Sequence, residues 1–199
     1  MKKTVIYTQR VEIIEGYQER RDCADQNIPL FLEACGYLPV PVPNVISDLA
    51  ILVETINPAG IVLTGGNSLV KYDGTAPERD ETDYRLIEIA LKKNIPLYGF
   101  CRGMQSVLDY FGCELENVQG HVAVRHIVDG EWEHMEVNSY HNQACRELKE
   151  PLQAMARTED GVVEAASYPE KNMIVTMWHP EREKPFKDTD IERVRKLFG

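Results

Sequence analysis

The stretch Ile95-Pro96-Leu97-Tyr98-Gly99-Phe100-Cys101-Arg102-Gly103-Met104-Gln105 constrains the fold more than any other part of the chain. Its apolar first half reads as a buried strand, and a helical segment, Arg102 to Phe111, follows with no residue left for a loop and ends at Gly112. Such a chain must turn sharply at Cys101. Gly99 and Gly103 stand two residues to either side of it, where side chains would collide as the strand folds back into the helix. A helix N-terminus favours negative charge and draws a thiol toward the reactive thiolate. The backbone N–H of Arg102 then points to where an oxyanion would develop. Taken alone, Cys101 is as readily a small buried residue at a strand end.

The rest of the chain alternates strand and helix around this elbow. TVIY opens as a buried strand, Ile28 to Cys35 reads as a helix ended by Gly36, and YLPVPVP suits an edge strand because of its three prolines. Asp48 to Glu54 reads as a short helix, and GIVLTGG is a β-branched strand running into a glycine turn. The polar stretch NSLVKYDGTAPERDE has no apolar period and reads as a loop (67–81) that could close as a lid. A helix capped by Asp80 or Thr82 follows it, with Tyr84, Leu86, Ile87, Ala90 and Leu91 inward. From His121 to Thr176 short strands dominate, with a hairpin expected around Asp129-Gly130. The tail is helical, with Ile191, Val194, Leu197 and Phe198 on one face. The expectation is one α/β domain over residues 1–199 with a mostly parallel central sheet flanked by helices.

Composition narrows the function. The 199 residues are 43% hydrophobic and 27% charged, the balance of a globular protein, and 22 basic against 32 acidic side chains give a net charge of -10. That charge argues against a nucleic-acid polymer as partner. No apolar run approaches a membrane span, and the MKKTVIYTQR start is too short for a signal peptide. Five cysteines (23, 35, 101, 113, 145) without a C-x-x-C pair suit a reduced, cytoplasmic setting and name no zinc motif.

Near the C-terminus, Met177-Trp178-His179-Pro180-Glu181 offers the base that a cysteine nucleophile needs and a group to orient it. In an extended segment His179 and Glu181 face the same way, so one ring nitrogen can meet the carboxylate while the other faces Cys101. In isolation this is an ordinary loop histidine; together with the elbow it is a triad.

GFCRGMQ, WHPE and the upstream LTGG, in this order, resemble the class I, or triad, glutamine amidotransferase family. The resemblance spans essentially the whole chain and implies that family's flavodoxin-like fold. It implies Cys101 as nucleophile, His179 as general acid/base, Glu181 as its orienter, and the N–H groups of Gly66 and Arg102 as the oxyanion hole. It gives Gln105, with Gly65, to the glutamyl end of the substrate. TQR, PERDETD and VNSYHNQ are similar to the γ-glutamyl-γ-aminobutyrate hydrolases of the peptidase C26 branch, although this chain is shorter than typical members. That likeness assigns the backbone of the Ser139-Tyr140-His141-Asn142-Gln143 turn to the substrate's amino-acid end.

The reading is a free-standing γ-glutamyl hydrolase working through a cysteine thioester, with no cofactor or metal in its chemistry. The leaving amine is γ-aminobutyrate-like or, as in the making of capsule phosphoramidate, that of a γ-glutamyl nucleotide phosphoramidate. The first is what the resemblance directly implies; the shorter chain and the cations Lys71, Arg79 and Arg125 make the second a serious rival. Glu78, Arg79 and Asp80 sit in the loop that would cover the leaving group. His121 and Arg125, on one strand face, either meet that group or form a polar edge; Tyr17, Arg21 and Asp22 lie in the first connection, and His134 has no evident partner. A glutaminase subunit feeding ammonia to a synthase, and an inactive binding module, stand as alternatives. The partner is a small molecule, and the oligomeric state stays open, a homodimer included.

Overall fold

The computed structural model describes residues 2–132 and 134–199. In chain order come β1 (Thr4–Tyr7), a surface hairpin of β2 (Arg10–Ile14) and β3 (Glu19–Cys23), α1 (Asn27–Ala34), β4 (Leu38–Pro41), α2 (Leu49–Ile56) and β5 (Gly60–Leu63). Then follow α3 (Pro77–Lys93), β6 (Leu97–Phe100), α4 (Arg102–Tyr110), β7 (Glu116–Asn117), β8 (Val122–Gly130), β9 (Met135–Tyr140) and β10 (Gln143–Ala144). The chain closes with β11 (Gln153–Arg157), β12 (Val163–Tyr168), β13 (Met173–Thr176) and α5 (Asp188–Phe198). The main sheet is nine-stranded in the order β4-β1-β5-β6-β13-β12-β11-β8-β9. From β4 to β13 the pairings are parallel; from β13 outward they are antiparallel. The expected mostly parallel central sheet with flanking helices is what forms.

The parallel strands read as unbroken apolar runs because helices cover both faces. Along each strand the faces alternate. Ile6, Ile61, Leu63 and Leu97 pack with Val53, Leu86, Ile87, Met104 and Leu108 of α2, α3 and α4. Val5, Tyr7, Val62 and Tyr98 pack with Phe31 and Leu32 of α1 and Val194 and Phe198 of α5 on the other side. Proline-rich β4 lies at one edge, as its sequence requires. No helix among the described residues is long and apolar enough to cross a membrane.

Two elements differ from expectation. Helix α3 begins at Pro77, so Glu78, Arg79 and Asp80 form its first turn rather than a covering loop. Proline suits the first helical position, and Glu78 and Asp80 suit the positive end of the helix. The inward face of these turns is Arg79, Thr82 and Asp83, all buried, so no apolar period announced it. In the second case β8 runs straight through Asp129-Gly130, and the chain reverses over residues 131–134, of which 133 lies outside the described residues. Gly130 serves a different need: it pairs with Ala156, and a Cβ there would sit 1.9 Å from the carbonyl oxygen of Met155.

Candidate active site

Strands β5, β6 and β13 are neighbours, and their carboxyl ends deliver Gly65-Gly66, Cys101 and Trp178-His179 to one place. Ligands of open α/β sheets bind outside such strand ends. Cys101 has φ 51° and ψ -112°, a strained conformation fixed by its N–H donating to the Thr176 carbonyl (2.8 Å) and by the helix that starts at Arg102. The glycine bracket does what the spacing required. A Cβ on Gly103 would lie 2.0 Å from the carbonyl oxygen of Leu63, and one on Gly99 would lie 3.1 Å from the Gly103 backbone.

His179 donates from Nδ1 to Glu181 Oε1 at 2.7 Å, leaving Nε2 for the sulfur side. Its peptide is clamped at both ends by Asn138, whose Oδ1 accepts from the His179 N–H (2.9 Å) and whose Nδ2 donates to its carbonyl (2.8 Å). The ring packs edge-on to Phe100 and Tyr140, with centroids 5.9 and 5.7 Å away. A point one Cβ out from Gly65 lies 2.8 Å from His179 Cε1 and 3.5 Å from Cys101 Cβ, so the three residues converge on one spot. Burial pulls the imidazole down, but the charge and hydrogen bond of Cys101, then those of Glu181, outweigh it and raise His179 from 6.5 to about 10. His179 and Glu181 share a face for a different reason than expected. His179 is extended, but Pro180–Arg182 is a single 3-10 turn that curls Glu181 back beneath the ring.

The remaining expected residues divide. Gly66 adopts φ +96°, with its α-carbon against Arg10. Arg102 contributes its N–H at the helix start, while its buried guanidinium turns away to Asp83 and Asp80. Gln105 donates from Nε2 to the Gln143 carbonyl (2.9 Å), tying α4 to the 139–143 segment. Within that segment Tyr140 flanks His179 and Asn142 is exposed. Ser139 and His141 point elsewhere: Ser139 Oγ donates to the His121 carbonyl (2.6 Å), and His141 Nε2 meets Glu164 (3.1 Å). Only their backbone can serve a ligand here.

Arg79 is not a substrate residue. It is fully buried, and its guanidinium donates to Asp83 (3.0 Å), Thr8 Oγ1 (2.7 Å) and the Thr64 carbonyl (2.9 Å) beneath the glycine turn. Lys71 pairs with Asp109, and Arg125 with Glu136 and Glu183, so the three cations do not gather at Cys101. His121 does not share Arg125's face, because an extra residue in the β8 ladder at Ala123 flips the alternation. The first connection is a hairpin. Tyr17 is exposed at its tip, Arg21 pairs with Glu19, and Asp22 holds Asn44. His134 meets Asp129 at 2.9 Å.

Two cations beside His179 were not expected: Arg10 and Arg182 line the small cleft formed with Asp25, Gly65, Gly66 and His179. Arg182 lies over the Tyr140 ring at 4.3 Å. Arg10 belongs to the TQR motif, a signal that sequence alone left without a role.

Comparison with known proteins fits this geometry. The model of the family described as peptidase C26 matches residues 7–126 and 114–181. The chain belongs to the peptidase C26 family. It is a hydrolase in a class I glutamine amidotransferase-like fold, as the sequence resemblance implied. This peptidase C26 member is 31% identical to a gamma-glutamyl-CDP-amidate hydrolase of Campylobacter jejuni subsp. jejuni serotype O:2 over 192 residues, covering 92% of each chain. It is 28% identical to a gamma-glutamyl-gamma-aminobutyrate hydrolase of Escherichia coli O157:H7 over 186 residues, covering 73% of each. Among solved structures, a glutamine amidotransferase from Thermotoga maritima has the same fold, with a TM-score of 0.66 at 15% identity, covering 100% of this chain and 94% of that one.

Proposed function

We propose that this chain is a free-standing γ-glutamyl hydrolase that uses Cys101 as nucleophile. The observation that carries the reading is the convergence of Cys101, His179 and Gly65 at adjoining strand ends, with Glu181 2.7 Å from the imidazole. Cys101 Sγ attacks the γ-carbonyl carbon, and the developing oxyanion is met by the N–H groups of Gly66 and Arg102. His179 Nε2 gives its proton to the departing nitrogen as the C–N bond breaks, leaving a γ-glutamyl thioester. Water, deprotonated by the same ring, adds to the thioester and releases glutamate and the Cys101 thiolate. Gln105 and the backbone of 140–142 hold the glutamyl end.

For the leaving group we favour a nitrogen that carries a nucleotide phosphoryl group over γ-aminobutyrate. The nearly full-length similarity to a gamma-glutamyl-CDP-amidate hydrolase supports this choice. Arg10 and Arg182, rather than Lys71, Arg79 and Arg125, are the cations at hand for an anionic group. The test is glutamate release from γ-glutamyl-CDP-amidate, γ-glutamyl-γ-aminobutyrate and glutamine, with Cys101→Ala beside the wild type. Cys101-dependent turnover of the phosphoramidate above the others supports the proposal. Turnover that survives Cys101→Ala, or activity on glutamine only when a synthase is added, refutes it.

A further inference from the structure

Away from the nucleophile, four side chains from separate parts of the chain meet around one buried carboxylate oxygen. Glu164 of β12 is 0% exposed, and its Oε1 lies 3.1 Å from His141 Nε2, 3.4 Å from His121 Nδ1 and 3.5 Å from His126 Nε2. Donor atoms of His121, His141 and Glu164 all lie within 4.8 Å of one another. Among the described residues, His121 Nδ1, His126 Nε2 and Glu164 Oε2 are buried and make no hydrogen bond.

A hydrogen-bonded network does not account for this spacing. A charge-assisted N–H···O bond closes to about 2.7–2.9 Å, as His179 and Glu181 do at 2.7 Å in the same molecule. Here two of the three nitrogens face the carboxylate yet bond nothing. Two donor atoms bound at about 2.0–2.1 Å to one tetrahedral ion are about 3.3 Å apart, which matches the separations around Oε1.

We propose that His121, His141 and Glu164, with His126 Nε2 beside them 3.5 Å from the carboxylate, bind one divalent transition-metal ion of the zinc class. Two imidazoles and one carboxylate, with a third imidazole beside them, suit a borderline ion and argue against calcium or magnesium. Three protein donors leave the fourth position to a water or to His126. The surroundings are those of a built site. The other nitrogen of His121 lies 3.3 Å from the Asp160 carboxylate, which Thr158 Oγ1 holds at 2.6 Å, the outer partner that metal-binding histidines commonly have. A cleft of about 760 Å³ bounded by His121, His126 and Asp160 gives the ion a way in. The extra residue at Ala123 turns His121 onto the face of His126. The ion would pin the end of β9 and the turn after it, which carry Tyr140 and Asn142, to β12, whose Glu164 carbonyl accepts from the Met177 N–H (2.7 Å) just before His179.

The test uses full-length, tag-free protein. Metal content is measured as purified, and metal-stripped protein is then titrated with Zn²⁺ while thermal unfolding is followed, and with Co²⁺ while its visible spectrum is followed. The expected result is about one equivalent of Zn²⁺ per chain with a rise in Tm. The Co²⁺ form should show four-coordinate d–d bands without thiolate charge transfer. Cys101→Ala should keep the ion, and Glu164→Gln and His141→Gln should lose it. Absence of both a Tm rise and a Co²⁺ spectrum in the wild type overturns the proposal. So does a thiolate band, or metal that leaves with Cys101→Ala and stays with Glu164→Gln. Should the Glu164 and His141 variants fail to fold, the wild-type Co²⁺ spectrum decides alone.

Discussion

Adding one methyl group at Gly65 tests whether the imidazole is held where the structure puts it. An alanine Cβ there would lie 2.8 Å from His179 Cε1, whereas carbon atoms rest at about 3.5 Å or more. Gly65 does not adopt a left-handed φ, so its backbone accepts alanine without strain of its own. The clash must therefore be relieved by moving the ring about 0.7 Å. The ring resists, because Glu181 holds Nδ1 at 2.7 Å and Asn138 holds the peptide on both sides. A displacement near 1 Å costs roughly 100-fold in rate, so Gly65→Ala should lower kcat about 10- to 100-fold with little change in KM. That corresponds to about 1.4–2.7 kcal/mol of lost transition-state stabilisation. The assay is steady-state glutamate release, with Tm measured in parallel. Gly16→Ala, whose Cβ meets nothing within 4 Å, is the control for alanine as such. A folded Gly65→Ala protein with more than about a third of wild-type kcat would refute the argument that this turn fixes the histidine.

Three further outcomes follow from the same contacts. Glu181→Gln removes one of the charges that raise His179 to about 10, so the alkaline limb of the kcat profile should move to lower pH, read by pH–rate kinetics. The sign for stability is the same: the protonated ring's contribution is full below 6.5 and is lost as pH rises through about 10, so the variant should lose it at lower pH in urea melts. Asp83→Asn leaves the buried guanidiniums of Arg79 and Arg102 without their shared carboxylate and should cost about 3–5 kcal/mol in urea unfolding. Arg182→Ala should raise KM for the phosphoramidate substrate several-fold while leaving KM for glutamine nearly unchanged, measured by competition between the two.

The elbow at Cys101 was legible because its residues answer local demands. Gly99, Cys101 and Gly103 obey the geometry of one turn, and each strand feeding the site is an apolar run that both helical layers cover. Arg79 was misread for a physical reason. A guanidinium buried against Asp83, Thr8 and Thr64 has the same one-dimensional signature as a solvated charge, and only the partners, up to 71 residues away, distinguish them. The bulge at Ala123 hid the histidine cluster in the same way, since one added residue reverses which side chains share a face. Arg10 and Arg182 come to the cleft from opposite ends of the chain, a proximity no local pattern encodes.

The path of β8 and β9 has a practical consequence. Strand β8 leaves from beside the site at His121 and β9 returns to it at Tyr140, so the hairpin's bend lies at the far end of both strands. The two ends of this ribbon therefore answer to different pressures. Tyr140 and Asn142 at the near end can retune how a ligand is held, whereas the bend touches the site from behind, through Trp132 packed edge-on to Trp178 beside His179. A designer retuning the site would diversify the near end, and one seeking a handle at the far end would keep Trp132 in place.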